Sequence, residues 1–171
     1  MATHQRMNTC KDLTIERLHE ALDFNQDTGV FTWKVNLSRK AKVGVIAGSL
    51  HPDGRWRIML DRHKHQSHRL AWFYVNGEWP SMEIDHINGV SADNRIANLR
   101  LATRAINTQN IRSAQKNNKC GFLGVMAFKD KFHAKIRAKG RLIYLGVFKT
   151  AQEAHAAYLL AKRKLHEGCT I

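Results

Sequence analysis

The chain is short of acidic residues, of pairable cysteine and of long apolar runs. Asp and Glu number 14 among 171 residues against 28 Lys and Arg, giving a formal charge of +14 and a pI near 10.2. That imbalance favours a polyanionic partner, nucleic acid before any other. The three cysteines, Cys10, Cys120 and Cys169, are widely spaced and odd in number, with no C-x-x-C pair. A secreted disulfide framework and a zinc knuckle are both excluded, and a reducing cytoplasm is the expected setting. No apolar run approaches the roughly 20 residues of a spanning helix, so no membrane partner is expected. Residues 1–11 are polar, lack the hydrophobic core of a signal peptide and read as a frayed start.

Patterning then divides the chain. Leu13, Ile15, Leu18 and Leu22 recur at roughly helical spacing behind Thr14, predicting a short amphipathic helix. Asp27-Thr28-Gly29 marks a tight turn before the alternating run at 30–35, and Trp56, Ile58 and Leu60 alternate with Arg55, Arg57 and Met59 as in a half-buried strand. Ser67 opens a second helix that closes at Asn76-Gly77, a pair suited to a left-handed terminator. From residue 80 to 112 polar residues dominate, fixed by few apolar ones: Ile84, Ile87, Ile96, Leu99, Leu101 and Ile106. Thr103 is a suitable cap for a helix reaching about 111, and the polar stretch 113–119 reads as a linker.

The last third carries three β-rich runs, 122–128, 132–138 and 142–148, separated at hairpin spacing by Lys129-Asp130-Lys131 and Lys139-Gly140-Arg141. Beyond Thr150, a cap, Ala154, Ala157, Tyr158 and Ala161 form an apolar stripe small enough to lie close on a sheet. Residues 118–171 hold 11 Lys and Arg against 3 acidic residues, so positive charge is concentrated there.

The chemistry-bearing residues lie in the middle. Asp85-His86-Ile87-Asn88-Gly89 sets a carboxylate beside an imidazole just before a turn, and 93–100 follows at hairpin distance. Hydrolysing a phosphodiester needs a base for water, a divalent cation to take up negative charge, and groups that hold both. A hard cation prefers oxygen ligands and keeps its waters, so Asp85 and the Asn107 amide oxygen, completed by phosphate, would suffice. His86 is then left as the base, oriented by a bond from its other ring nitrogen near Asn98, while Arg100 or Arg104 binds phosphate. Singly, such residues also make turns and caps, and each Lys or Arg alone is a solvated charge.

Taken together, His68-Arg69-Leu70-Ala71-Trp72, Trp79-Pro80, Asp85-His86-Ile87-Asn88-Gly89, Asp93-Asn94-Arg95, Asn98-Leu99-Arg100 and Asn107-x-x-Asn110 resemble the HNH, or ββα-metal, endonucleases, especially phage and intron-encoded homing enzymes. The resemblance spans 68–110. It implies a hairpin and helix around one divalent ion, Mg²⁺ with Mn²⁺ as substitute. Asp85 and Asn107 are its implied ligands, His86 the catalytic base and Asn98 the catalytic positioning residue; Asn110 is a weaker candidate, and His68 supports the site. Asn107 stands where many members have a final His, which implies preference for hard metals over zinc.

Residues 118 to about 166 resemble the APETALA/ERF-type DNA-binding domain through Gly121-Phe122-Leu123-Gly124-Val125, Phe132-His133-Ala134-Lys135-Ile136 and Tyr144-Leu145-Gly146-Val147-Phe148-Lys149-Thr150. That implies a sheet in the major groove of double-stranded DNA, with Lys129, Lys131, Lys135, Arg137, Lys139 and Arg141 available for contact. Phe132-His133 stands where Trp is frequent, and the first strand lacks the family's Arg-rich face, so base specificity is not carried over.

The expected fold is α+β: an N-terminal helix and small sheet at 12–66, a ββα-metal core at 67–114, and at 118–167 a three-stranded antiparallel sheet packed on one helix. The expected function is metal-dependent DNA cleavage by a homing-type HNH nuclease of a phage or bacterium, with a monomer favoured. The alternative is a non-catalytic DNA-binding regulator, and an RNA nuclease is a more distant third.

Overall fold

Local caps start and stop the helices. Thr14 accepts a bond from the Arg17 amide and opens α1, Ile15–Ala21, which turns at Leu22 into strand β1, Leu22–Asn25. Asn25 accepts from the amides of Asp27 and Thr28, and Gly29 takes the positive φ that returns the chain into β2, Val30–Trp33, in antiparallel register with β1. These elements come from a computed structural model that describes residues 13–115 and 117–171. The frayed start expected at 1–11, and Lys116 of the expected linker, lie outside the described residues.

Contacts divide the chain into two units, 1–101 and 102–171. In the first, β3, Ser49–Leu50, β4, Trp56–Leu60, and β5, His63–Gln66, form an antiparallel sheet in that order. Helix α2, Ser67–Asn76, comes next and ends, as expected, on a left-handed Gly77. Leu18, Leu22, Phe31, Ile58, Leu60, Leu70 and Ala71 are almost fully buried in one core beside Ile84 and Leu99. β6, Glu83–His86, then pairs with β7, Leu99–Ala102, through a loop that includes the 3-10 turn Ile96–Asn98.

The second unit begins with α3, Arg104–Gln109, capped by the Thr103 hydroxyl on the Ile106 amide. The expected linker segment, 113–119, follows α3 within the same contact unit. Strands β8, Val125–Phe128, β9, Lys131–Ala138, and β10, Arg141–Phe148, make the three-stranded antiparallel sheet, with β9 central. Thr150 and Glu153 form a reciprocal capping box at the start of α4, Ala151–Leu165. Ala151 and Ala154 pack α4 against Val125 and Ala134, and the buried Tyr158 ring lies against Gly124. The mixed α and β architecture, helix and small sheet first and sheet-on-helix last, matches the sequence expectation.

Candidate active site

Asp85 and His86 are the last two residues of β6, and the chain turns immediately after them on Gly89, whose φ is 72°. Three side chains fold the loop from 87 to 98 onto itself. Asn88 donates to the Asp93 carboxylate at 2.7 Å, and Asn98 accepts from the Asn88 amide at 2.9 Å while donating to the Asp93 carbonyl at 2.8 Å. The Ile87 amide also donates to the Asn98 carbonyl oxygen. Asp93 takes two further bonds from the Arg95 guanidinium, which hold its carboxyl down to about 2. The Asp and Asn residues that read as a polar turn therefore form a closed hydrogen-bonded loop, and the two site residues stand at its base.

The pair itself is buried, Asp85 at 4% exposure and His86 at 7%. Arg100, on the paired strand β7, sends Nε and Nη2 to the same carboxylate oxygen of Asp85, at 2.9 and 2.7 Å. Arg100 thus stands against the carboxylate expected to bind the cation. His86 Nε2 meets Asn94 Oδ1 at 3.3 Å, whereas the Asn98 side chain bonds within the loop. Burial pushes the His86 imidazole below its ordinary range; the Asn94 bond pulls the other way, and the Arg55 charge adds to the fall. The His68 ring packs edge-on against His86 at 5.2 Å, and burial, reinforced by His86, takes it down to about 3. Burial thus disfavours the protonated form of both imidazoles, which lie in contact.

Among the described residues no three His, Cys, Asp or Glu side chains gather around one point. Asp85 is the carboxylate of this site, and an oxygen donor of that kind suits a hard cation that retains water and phosphate oxygens. Asn107 and Arg104 lie on α3 of the second unit, Asn107 half-buried and Arg104 exposed at the first turn. Asn110, the C-cap of α3, is 4% exposed and accepts a 2.6 Å bond from the Thr170 hydroxyl.

Residue alternation divides the basic residues of the sheet. Ala134, Ile136 and Ala138 are buried toward α4, so Lys131, His133, Lys135 and Arg137 share the opposite face of β9. Their cross-strand partners are Phe128, Met126 with Val147, Tyr144 and Leu142 in turn, all exposed. The His133 ring lies 5.0 Å from Phe128 and 5.6 Å from Tyr144. Lys129 and Lys139 occupy hairpin turns at positive φ, and Arg141 pairs with Ala138 at the strand end. Lys131, Lys135 and Arg137 are therefore the basic residues of the helix-free face.

Sequence reasoning left Asn94 without a role, although it stands in the quoted Asp93-Asn94-Arg95 run; its contact with His86 needs the loop to close. Gly29 read only as part of a tight turn; it also packs against the backbone of Asn94 and Arg95 with no space for a Cβ. Residues 65–109 match the family model described as HNH endonuclease, which supports a nuclease acting on DNA. No curated protein and no solved structure matches the chain.

Proposed function

We propose that the chain is a metal-dependent endonuclease that hydrolyses phosphodiester bonds of double-stranded DNA. The observation that carries this reading is a buried His86 beside a buried Asp85 at the end of β6, within the segment matching HNH endonucleases. A neutral imidazole can accept a proton from water at physiological pH, and its contacts with Asn94 and His68 restrict the ring. Asp85, with Asn107 as carried from the sequence resemblance, would hold Mg²⁺ or Mn²⁺. Such an ion stabilises the charge that develops on phosphate and leaving oxygen. Asn98 acts at a distance by keeping the 87–98 loop closed, and Arg100 and Arg104 offer guanidinium groups to phosphate.

The open face of the β8-β9-β10 sheet supports duplex binding as in an APETALA/ERF-type domain. Its Lys131, Lys135 and Arg137 supply phosphate contacts, and its exposed Phe128, Tyr144 and Met126 supply apolar ones. The reading includes a homing-type enzyme, as the sequence resemblance implies, working as a monomer that cuts one strand at a time. The same face favours the second reading, a DNA-binding regulator without cleavage. Incubating supercoiled plasmid with the chain in Mg²⁺, Mn²⁺ or EDTA separates them: nicking that EDTA abolishes supports the nuclease, and binding without cutting in any metal supports the regulator.

A further inference from the structure

Lys162 is 1% exposed, an unusual position for a side chain that carries an ammonium. It sits on α4 four residues beyond Tyr158, on the stripe that faces the sheet, and burial pushes its amine below the ordinary lysine range. Its Nζ donates to the carbonyl oxygen of Ile111, one residue past the C-cap of α3. A cation there satisfies a carbonyl at the negative end of the helix.

Helix α3 needs such support. It has six residues, none fully buried, and a helix of that length is not stable in water by itself. The segment beyond α4 grips the same end. The Thr170 hydroxyl donates to Asn110 Oδ1 at 2.6 Å and accepts from Arg112 Nη2, which also donates to the Thr170 carbonyl at 3.0 Å. The Gly168 amide donates to Gln109 Oε1 at 3.0 Å, and Gly168 lies so close to the Ile106 carbonyl that a Cβ would not fit. Four consecutive residues at the end of α3, from Gln109 to Arg112, are thereby tied to α4 and its extension.

We propose that Lys162 and Thr170 are positioning residues that lock α3 to the sheet module, so that Asn107 and Arg104 are carried as one body with the DNA-binding face. The inference rests on the nuclease reading for the roles of Asn107 and Arg104. It reassigns Asn110 from weak metal candidate to the receiving end of a structural clasp. The linker expected at 113–119 then separates α3 from β8 in sequence but not in mechanics.

The test compares the parent chain with Lys162→Met, which keeps the stem and removes the ammonium, and with Thr170→Val, which removes the second grip. Replacing a buried charge by an apolar side chain need not lower the melting temperature. Amide hydrogen exchange at 107–111 should nevertheless quicken about tenfold in each variant, as expected for the loss of one charge-assisted or buried hydrogen bond. The Mn²⁺ concentration for half-maximal plasmid nicking should rise by about the same factor, with excess Mn²⁺ restoring the rate and duplex affinity unchanged. Unaltered exchange at 107–111 overturns the clasp. Faster exchange with an unaltered Mn²⁺ requirement overturns its link to catalysis. A parent chain that never cuts sinks the nuclease reading, and the exchange comparison still decides the clasp.

Discussion

Removing Arg100 puts the geometry of the site under direct strain. Asp85 keeps only 5% of its side-chain surface in water, while Arg100, at 29%, supplies both bonds to its Oδ2. Truncating one member of a buried pair costs about 3–5 kcal/mol, because the other charge loses its counter-ion while staying desolvated. The partial exposure of Arg100 lets water reach the vacated space, so about 3 kcal/mol is the expected loss for Arg100→Ala. In a unit of this size that corresponds to a fall of roughly 12–24 °C in melting temperature. All four tryptophans, Trp33, Trp56, Trp72 and Trp79, lie in the first unit, so their fluorescence follows this unfolding alone. Asp85→Asn on the Arg100→Ala background should recover most of the loss, giving a coupling energy of at least about 1.5 kcal/mol in the double-mutant cycle. Mn²⁺ should stabilise Arg100→Ala by about 2.7 kcal/mol at a hundredfold excess over its Kd, and the parent by less. A variant melting within about 3 °C of the parent, with no coupling to Asp85, would refute the reasoning.

Stability should also fall with acid. Unfolded His68 takes up a proton near pH 6.5 and the folded ring only near 3, so between those values the unfolded chain binds more protons and folding weakens as pH falls. From pH 7 to 5 this one residue removes about 2 kcal/mol, with His65 and His86 shifted the same way. Denaturant midpoints that stay flat over that range would contradict it. Since the active His86 is the neutral form and its pKa is lowered, the acid limb of the cleavage rate should lie below the ordinary histidine value of about 6.5. Gly29→Ala should cost at least about 2 kcal/mol, from its φ of 72° and from the clash with the 94–95 backbone, and should slow cleavage by displacing Asn94 from His86. Equilibrium melts and nicking rates together check it. Lys135→Ala should reduce the salt dependence of duplex binding by about one unit of slope, and an unchanged slope would remove Lys135 from the interface.

Helix ends were legible because capping is local. Thr14, Thr103 and Thr150 each accept from the amide three residues on, and Gly77 terminates α2 as its sequence suggested. Strand β5 was not legible, since His63, Lys64, His65 and Gln66 carry no apolar alternation and only His65 is buried; its place depends on register with β4. Strand β1 was hidden because Leu22 continues the helical spacing of Leu18 while the backbone has already become extended. Asp85 and His86 stood out by chemistry alone. Asn94, eight residues from His86, did not, because its contact is created by bonds among Asn88, Asp93 and Asn98. Lys162 reads as a surface lysine until its spacing from Ala154 and Tyr158 is combined with the Ile111 carbonyl.

The central claim, that His86 activates water for strand cleavage, is tested most directly by single-turnover nicking of supercoiled plasmid in Mg²⁺ by the parent chain and by His86→Ala, with duplex affinity measured alongside. The account predicts metal-dependent cutting by the parent, and a loss of about 10²–10⁴-fold in the variant at unchanged DNA affinity. A variant that binds and cuts as fast as the parent would contradict it.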